Sequence, residues 1–518
     1  MAKQTFNREP DSKLTRLLVK QQNDVVNELG GLQIFGLWSA PVLFILMLWL
    51  PAPEGLSAAG WYTAAIGLLM AIWWMTEALP IPVTSLLPLV LFPVLGVGTI
   101  RDAAQPYASP LIFLFMGGFM ISMAMQKWHL HVRIALKIIH AVGTRPVAII
   151  GGFMVASAFL SMWVSNTATT MMMLPIGLSV IALAQASQQK EAGVDAHHFA
   201  VALMLGIAYA CSIGGMGTLI GTPTNVVLAG FLSETYGYDL SFAQWLLVGL
   251  PLVIIGLPVT HFILTRLVFP IRMRTLPGGG EFIRDELQRL GPWSRGEKLV
   301  ASVFALVALL WITRPLLGKI MSGLSDAGIA IFGAVLLFLL PVDFKSGLFV
   351  LDWRTAEKLP WGVLTLFGGG LSLAAAVQRT GLAHWIGGHL GALQHFPIIM
   401  LVLLTTVMII LLTELTSNTA TAAAFLPIIA SVAVGMHQNP LLLGIPAVLA
   451  ASCAFMLPVA TPPNAIVYGS GVISIKQMAR AGAVLNLTFT VILTFIGYFL
   501  IKWAFDIRLG ELPAWATP

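Results

Sequence analysis

The tripeptide Ser165-Asn166-Thr167, within Met-Trp-Val-Ser-Asn-Thr-Ala-Thr-Thr-Met at 162–171, occurs a second time as Ser417-Asn418-Thr419. Both copies lie inside long apolar stretches, and each is followed seven residues later by Leu-Pro-Ile. Burying small polar groups in apolar surroundings is costly unless they are hydrogen-bonded or bind a ligand. The two copies therefore predict one binding site, to which each copy contributes one side.

The composition around these motifs is that of a polytopic membrane protein. Of the 518 residues, 58% are hydrophobic and only 10% are charged, whereas soluble domains carry roughly 25% charged residues. The first 33 residues are polar and contain five Lys and Arg, which predicts a cytoplasmic arm before an uncleaved first span. We attribute the sequence pI of about 9.4 to basic cytoplasmic loops and expect no nucleic-acid partner.

Two apolar stretches, 147–184 and 398–435, are long enough for two spans each but have no charged break at the centre. The repeated tripeptide occupies that centre in both. We interpret each stretch as a re-entrant hairpin of two half-depth helices, because irregular backbone at membrane depth is tolerated where protein buries it. The alternative is an ordinary helix pair whose polar turn lies at the far membrane surface.

A second pair of motifs predicts two broken helices. The stretch 199–235 contains Gly-Thr-Pro-Thr-Asn at 221–225, and the stretch 441–475 contains Ala-Thr-Pro-Pro-Asn at 460–464. Glycine, proline and hydroxyl residues inside apolar sequence are typical of the discontinuous helices that form transporter binding sites.

These landmarks define an internal repeat. The tripeptides, the Leu-Pro-Ile motifs and the glycine pairs Gly117-Gly118 and Gly369-Gly370 all recur at an offset of 252, and the later motifs recur at 239. We predict repeats at 34–270 and 299–508, a cytoplasmic linker at 271–298 and an external tail at 509–518. Such internal symmetry is best identified before spans are counted.

Charge distribution predicts the orientation of the repeats. An eleven-span topology with a cytoplasmic N-terminus, in which both hairpins return to their side of entry, places 22 of the 28 Lys and Arg residues inside. This asymmetry follows the positive-inside rule, and the two repeats are then inverted. The expected fold is an all-α polytopic membrane protein with about 11 transmembrane helices, two re-entrant hairpins and two broken helices.

The predicted centre can hold an anion together with sodium. The tripeptide precedes the second helix of each hairpin, so free N–H groups and the positive end of the helix dipole face the site. Hard cations prefer oxygen ligands, and unwound carbonyls coordinate sodium in such folds. The candidate oxygen donors are Ser161, Ser165 and Asn166 with a carbonyl near Gly221, and Thr413, Ser417 and Asn418 with a carbonyl near Ala460. Helix–helix hydrogen bonding is the alternative role of these hydroxyls.

The paired tripeptides and the two Thr-Pro motifs resemble the divalent anion–sodium symporter family of di- and tricarboxylate transporters. The resemblance implies a homodimer with a scaffold part and a transport part that moves as an elevator. It also assigns the two oxygen sets above, including Gly221 and Ala460, to two sodium sites. The substrate contacts expected are Asn166, Thr167, Thr222, Pro223, Asn418, Thr419, Thr461 and Pro462.

We therefore expect sodium-coupled symport of a C4-dicarboxylate such as succinate, malate or fumarate, in a cell membrane and most simply the inner membrane of a bacterium. Sodium-independent dicarboxylate exchange and the transport of citrate or sulfate remain open. An enzyme is disfavoured, because no intramembrane carboxylate pair or Ser–His arrangement is evident. The role of Glu414, the single acid within the hairpins, stays open between proton relay and structural hydrogen bonding.

Overall fold

The computed structural model describes residues 30–143, 145–186, 193–273, 275–276, 279–318, 320–321, 323–389 and 396–516. Most of the predicted arm, 1–29, lies outside the described residues. The described part is almost entirely helical, as predicted. Its strands are β1 (Pro341–Asp343) and β2 (Leu348–Phe349), which form a small antiparallel pair after the apolar helix that ends at Leu339.

The first half of the chain contains the following helices, of which the last comes directly after the first broken helix. They are α1 (Gly31–Trp49), α2 (Ala58–Thr76), α3 (Ile81–Thr84), α4 (Leu87–Val94), α5 (Ile100–Ala104), α6 (Pro110–Lys127), α7 (Leu130–Val142), α8 (Pro146–Ser161), α9 (Asn166–Ala186), α10 (Gly193–Gly215), α11 (Pro223–Tyr236) and α12 (Phe242–Phe262), which continues as a π-helix to Val268.

The second half begins after the linker helix α13 (Gly279–Arg289). Its helices are α14 (Arg295–Leu317), α15 (Asp326–Leu339), α16 (Trp353–Ala356), α17 (Trp361–Arg379), α18 (Leu382–His389), α19 (Ile398–Thr413), α20 (Asn418–Gly435), α21 (Leu441–Ala451), α22 (Pro462–Gly469), α23 (Ile475–Val491) with a π-helix to Gly497, and α24 (Tyr498–Ala504). The order of elements therefore repeats between the halves, while their inverted orientation stays a prediction.

Helices long and apolar enough to cross a membrane number ten among the described residues, and shorter apolar helices supplement them. Two helix pairs, α8–α9 and α19–α20, each meet at the tripeptide, and their re-entrant course in a membrane stays a prediction. The arm α9 has 21 residues and at 1.5 Å per residue extends for about 31 Å, while the depth of both arms in a membrane stays a prediction. The apolar stretch that begins near Pro80, the third of the eleven predicted spans, is interrupted at Ser85–Leu86, between α3 and α4.

The two halves interleave at the centre of the molecule. The hairpin arm α9 packs against α22 of the other half, and α20 packs against α11 in the same way. Within each half the hairpin also packs against its broken helix, α8 on α10 and α19 on α21. The tripeptides and the helix breaks are therefore parts of one packed core.

The repeated glycines allow helices to approach closely. A Cβ added to Gly117 would lie 2.6 Å from the backbone carbon of Ala330 in α15, and one on Gly369 would overlap the carbonyl oxygen of Ser85. The neighbouring Gly118 and Gly370 have space, because their nearest atoms would lie at an ordinary 3.5 Å. Only the first glycine of each pair is thus required by packing.

We predict that Gly117→Ala and Gly369→Ala destabilise the protein, whereas Gly118→Ala and Gly370→Ala do not. Overpacking against backbone atoms costs about 1–3 kcal/mol, because backbone shifts less easily than a flexible side chain. Thermal unfolding of the purified protein in detergent measures the difference. Equal unfolding temperatures for the two members of each pair would contradict the assigned contacts.

Candidate functional site

The first hairpin tip brings two of its predicted oxygen ligands into contact. The Ser161 hydroxyl at the end of α8 donates a hydrogen bond of 2.5 Å to Oδ1 of Asn166, the first residue of α9. Ser161 is buried and Asn166 is half-buried. Ser165 caps α9 by accepting from the Ala168 N–H at 3.3 Å. The tip therefore presents adjacent side-chain oxygens at a helix N-terminus.

The first helix break reaches the same point. The Asn225 amide donates to the carbonyl oxygens of Gly215 and Thr218, at 3.1 and 2.8 Å, and so holds the unwound segment in place. A Cβ added to Gly215 would lie 2.9 Å from Oδ1 of Asn166 and 3.2 Å from the carbonyl oxygen of Gly221. Asn166 and Gly221, predicted as ligands of one sodium ion, thus both pack closely against Gly215.

The second hairpin tip repeats the arrangement. The Thr413 hydroxyl lies 2.7 Å from Oδ1 of Asn418 and 2.9 Å from the Ala451 carbonyl oxygen. Thr413 is buried, whereas Ser417 and Asn418 are half-buried. This contact corresponds to Ser161–Asn166 at the offset of 252. Ala451, which the sequence did not single out, supplies a carbonyl beside the pair.

In the second helix break, an asparagine side chain again holds the unwound segment. The Asn464 amide donates to the carbonyl oxygens of Ala454 and Leu457, at 3.0 and 3.1 Å. These partners precede Asn464 by ten and seven residues, the same spacings as those of Asn225. Thr461 caps α22 by accepting from the Asn464 N–H at 3.3 Å. Ala460, a predicted ligand, is buried between these contacts.

The two breaks are also bonded to each other. The hydroxyls of Thr224 and Ser452 lie 2.9 Å apart, and both are buried. The Tyr209 hydroxyl in α10 donates to the Phe455 carbonyl oxygen at 2.7 Å. The two halves of the chain therefore meet at their unwound segments, as the prediction of a shared site requires.

The predicted substrate contacts all lie at helix N-termini. Thr222 and Thr461 are buried, Asn166, Thr167, Pro223, Asn418 and Thr419 are half-buried, and Pro462 is exposed. The helices that begin there are α9, α11, α20 and α22. No Lys or Arg occurs in the four predicted segments 147–184, 199–235, 398–435 and 441–475, so helix dipoles and bound cations must supply the positive potential for an anion.

Glu414 has an environment that the sequence did not predict. Its carboxylate accepts hydrogen bonds from the backbone N–H groups of Phe455, Met456 and Leu457 and from the Asn486 amide, at 2.7 to 3.1 Å. The partners lie 41 to 72 residues away in the sequence, so no local pattern identifies them. The carboxylate is thus bonded to the second break.

Comparison with known proteins identifies the family. Residues 33–505 match the family described as the sodium:sulfate symporter transmembrane region, to which the chain belongs. It is 46% identical to the sodium-dependent dicarboxylate transporter SdcS of Staphylococcus saprophyticus over 474 residues, which cover 90% of this chain and 91% of that protein. It is equally similar to SdcS of Staphylococcus aureus strain USA300, over 92% of this chain and 93% of the relative.

Two solved structures share the fold. The YdaH transporter of Alcanivorax borkumensis aligns with a TM-score of 0.57 at 15% identity, covering 92% of this chain and 97% of YdaH. MtrF of Neisseria gonorrhoeae aligns with a TM-score of 0.56 at 11% identity, covering 95% and 98%. Together with the family and the apolar helices, these matches identify an integral membrane protein.

We predict that Asn225→Asp and Asn464→Asp destabilise the protein by about 2–3 kcal/mol each, because an acceptor would replace a buried donor between two carbonyl oxygens. Asn439→Asp is the matched control. Asn439 is also buried, but its Oδ1 accepts from the Leu441 N–H at 2.9 Å, and aspartate retains that acceptor. Thermal unfolding of the purified proteins measures the loss of stability in each variant. If Asn439→Asp were as unstable as Asn225→Asp and Asn464→Asp, the explanation would be refuted.

Proposed function

We propose that this member of the sodium:sulfate symporter family is a secondary active transporter that couples sodium entry to the uptake of a C4-dicarboxylate. Succinate, malate and fumarate are the expected substrates. The observation that carries the proposal is the matched pair of oxygen contacts, Ser161–Asn166 and Thr413–Asn418, at the starts of α9 and α20. The names of the SdcS relatives, sodium-dependent dicarboxylate transporters, support it.

Two sodium ions would bind at these pairs. One would be held by Ser161, Ser165 and Asn166 with the Gly221 carbonyl, and the other by Thr413, Ser417 and Asn418 with the Ala460 carbonyl. The contacts at Gly215 support the first set, because Oδ1 of Asn166 and the Gly221 carbonyl oxygen both lie close to that residue. Hydroxyl, amide and carbonyl oxygens are the ligands that a hard cation prefers.

The dicarboxylate would lie between the hairpin tips. The proposed contacts are Asn166, Thr167, Thr222 and Pro223 from the first half and Asn418, Thr419, Thr461 and Pro462 from the second. Since the surrounding segments contain no Lys or Arg, bound sodium would provide positive charge beside the helix N-termini. Cation and anion would then strengthen each other's binding, which is the physical basis of symport.

Transport would use an elevator motion of the hairpins and broken helices. The contact between α11 and α20 on one side and α6 and α17 on the other supports this. It is lined almost wholly by apolar side chains such as Phe231, Leu426, Ile112 and Phe367. Apolar surfaces form few directional bonds, so one side can slide along the other at small cost.

The remaining features follow from the resemblance and the charge asymmetry. We propose a homodimer in a bacterial inner membrane with a cytoplasmic N-terminus. Sodium-independent dicarboxylate exchange is the alternative mechanism, and sulfate or citrate the alternative substrate. Because the family description names sulfate, that anion should be included among the substrates tested.

Uptake of labelled succinate into proteoliposomes tests the function directly. We expect accumulation with an inward sodium gradient and none with potassium replacing sodium, and competition by malate and fumarate but not by sulfate. Uptake that is independent of sodium but requires dicarboxylate inside the liposomes would instead establish exchange. Asn166→Ala and Asn418→Ala should each reduce uptake to the level of empty liposomes while the purified variants remain dimeric.

The first sodium site has its own test in Gly215→Ala. The added methyl would press against Asn166 and the Gly221 carbonyl and displace them, so we expect sodium-dependent uptake to fall at least about tenfold, as for a misplaced binding group. Gly469→Ala is the control, since a Cβ there meets nothing within 4 Å. Wild-type sodium dependence in Gly215→Ala would show that the region beside Gly215 is not part of the first sodium site.

A further inference from the structure

The single acid of the two hairpins is enclosed by hydrogen-bond donors. Glu414 is only 4% exposed. Its Oε1 accepts from the N–H groups of Phe455 and Met456 and from the Asn486 amide, and Oε2 accepts from Met456 and Leu457. One carboxylate thus satisfies three consecutive backbone donors in the unwound segment between α21 and α22. Such charge-assisted bonds are stronger than those between neutral groups.

The first half achieves the same result without an acid. There the N–H groups of Met216 and Gly217, which correspond to Phe455 and Met456, bond to the carbonyls of Ile213 and Gly214 at 3.1 and 2.8 Å. The residue that corresponds to Glu414 is Met162, whose carbonyl oxygen accepts from the Thr218 hydroxyl at 2.5 Å. At the positions where the second break uses a carboxylate, the first break therefore uses a local backbone turn and neutral hydrogen bonds.

We propose that Glu414 is a positioning residue that makes the two sodium sites unequal, with the second site the tighter one. The proposal rests on sodium coupling as proposed above. Glu414 follows Thr413 directly and holds the segment that leads to Ala460, so it links two predicted parts of the second site. Its negative charge also favours a nearby cation, and the first half has no counterpart to it.

Of the two roles that the sequence left open for Glu414, the same contacts favour structural hydrogen bonding over a proton relay. A relay group needs an acceptor to which its proton passes, and every hydrogen-bonding partner of this carboxylate in the described structure is a donor. The carboxylate is therefore a fixed part of the second break, and it acts on sodium through Thr413 and the segment 455–460 rather than as a ligand itself.

Glu414→Gln tests the proposal, because it keeps the size and one acceptor oxygen but removes the charge. The binding assay is thermal stabilisation of the purified protein by NaCl, at constant ionic strength with choline chloride. We expect the half-saturating sodium concentration to rise about tenfold or more, as for the loss of a unit charge within a partly buried site. Half-saturation by succinate at saturating sodium should change less than twofold. Glu357→Gln, an exposed acid, is the control and should match the wild type.

Glu414→Asp retains the charge but shortens the reach to the backbone donors. Because the positioning of the segment 455–460 is weakened, we expect it to be less stable without sodium and to need several times more sodium for half-saturation than the wild type, although less than Glu414→Gln. If Glu414→Gln does not fold, an unchanged sodium requirement in Glu414→Asp overturns the proposal. An unchanged requirement in a folded Glu414→Gln also overturns it. A wild type that sodium neither stabilises nor activates would instead refute the proposed function.

Discussion

The need to satisfy backbone polar groups inside an apolar interior governs this structure. A helix that unwinds away from water exposes N–H and C=O groups whose burial without partners is costly. Here the partners come from side chains, since the amides of Asn225 and Asn464 each hold two carbonyl oxygens of their own break. The breaks can persist because these donors replace the missing helical bonds.

Once the breaks are held, the site follows from helix geometry. A helix that starts at depth directs free N–H groups towards the centre, and four such helices, α9, α11, α20 and α22, begin there. The hairpin tips add hydroxyl and amide oxygens next to those starts, Ser161 with Asn166 and Thr413 with Asn418. One arrangement thus offers donors for an anion and oxygens for a cation.

The sequence predicted those features that repeat or that need special residues. The tripeptides, the Thr-Pro breaks and the close glycines Gly117 and Gly369 could be found because each recurs at a fixed offset. Features that depend on distant partners could not. The packing of α9 against α22 joins residues of different halves, and the donors around Glu414 come from a segment and a helix far along the chain.

The side chain of Asn166 illustrates how the binding of a cation and the binding of a carboxylate can be linked. An asparagine has one carbonyl oxygen and one NH2 group, which point in different directions. The oxygen already contacts the Ser161 hydroxyl and, like the Gly221 carbonyl, packs against Gly215. A cation bound there would fix the amide plane and thereby aim the NH2 group away from the cation, as a donor for a carboxylate. Asn418 stands in the same relation to Thr413. Because a rigidly oriented donor binds an anion better than a freely rotating one, the order and strength of sodium binding would control substrate affinity through these two amides.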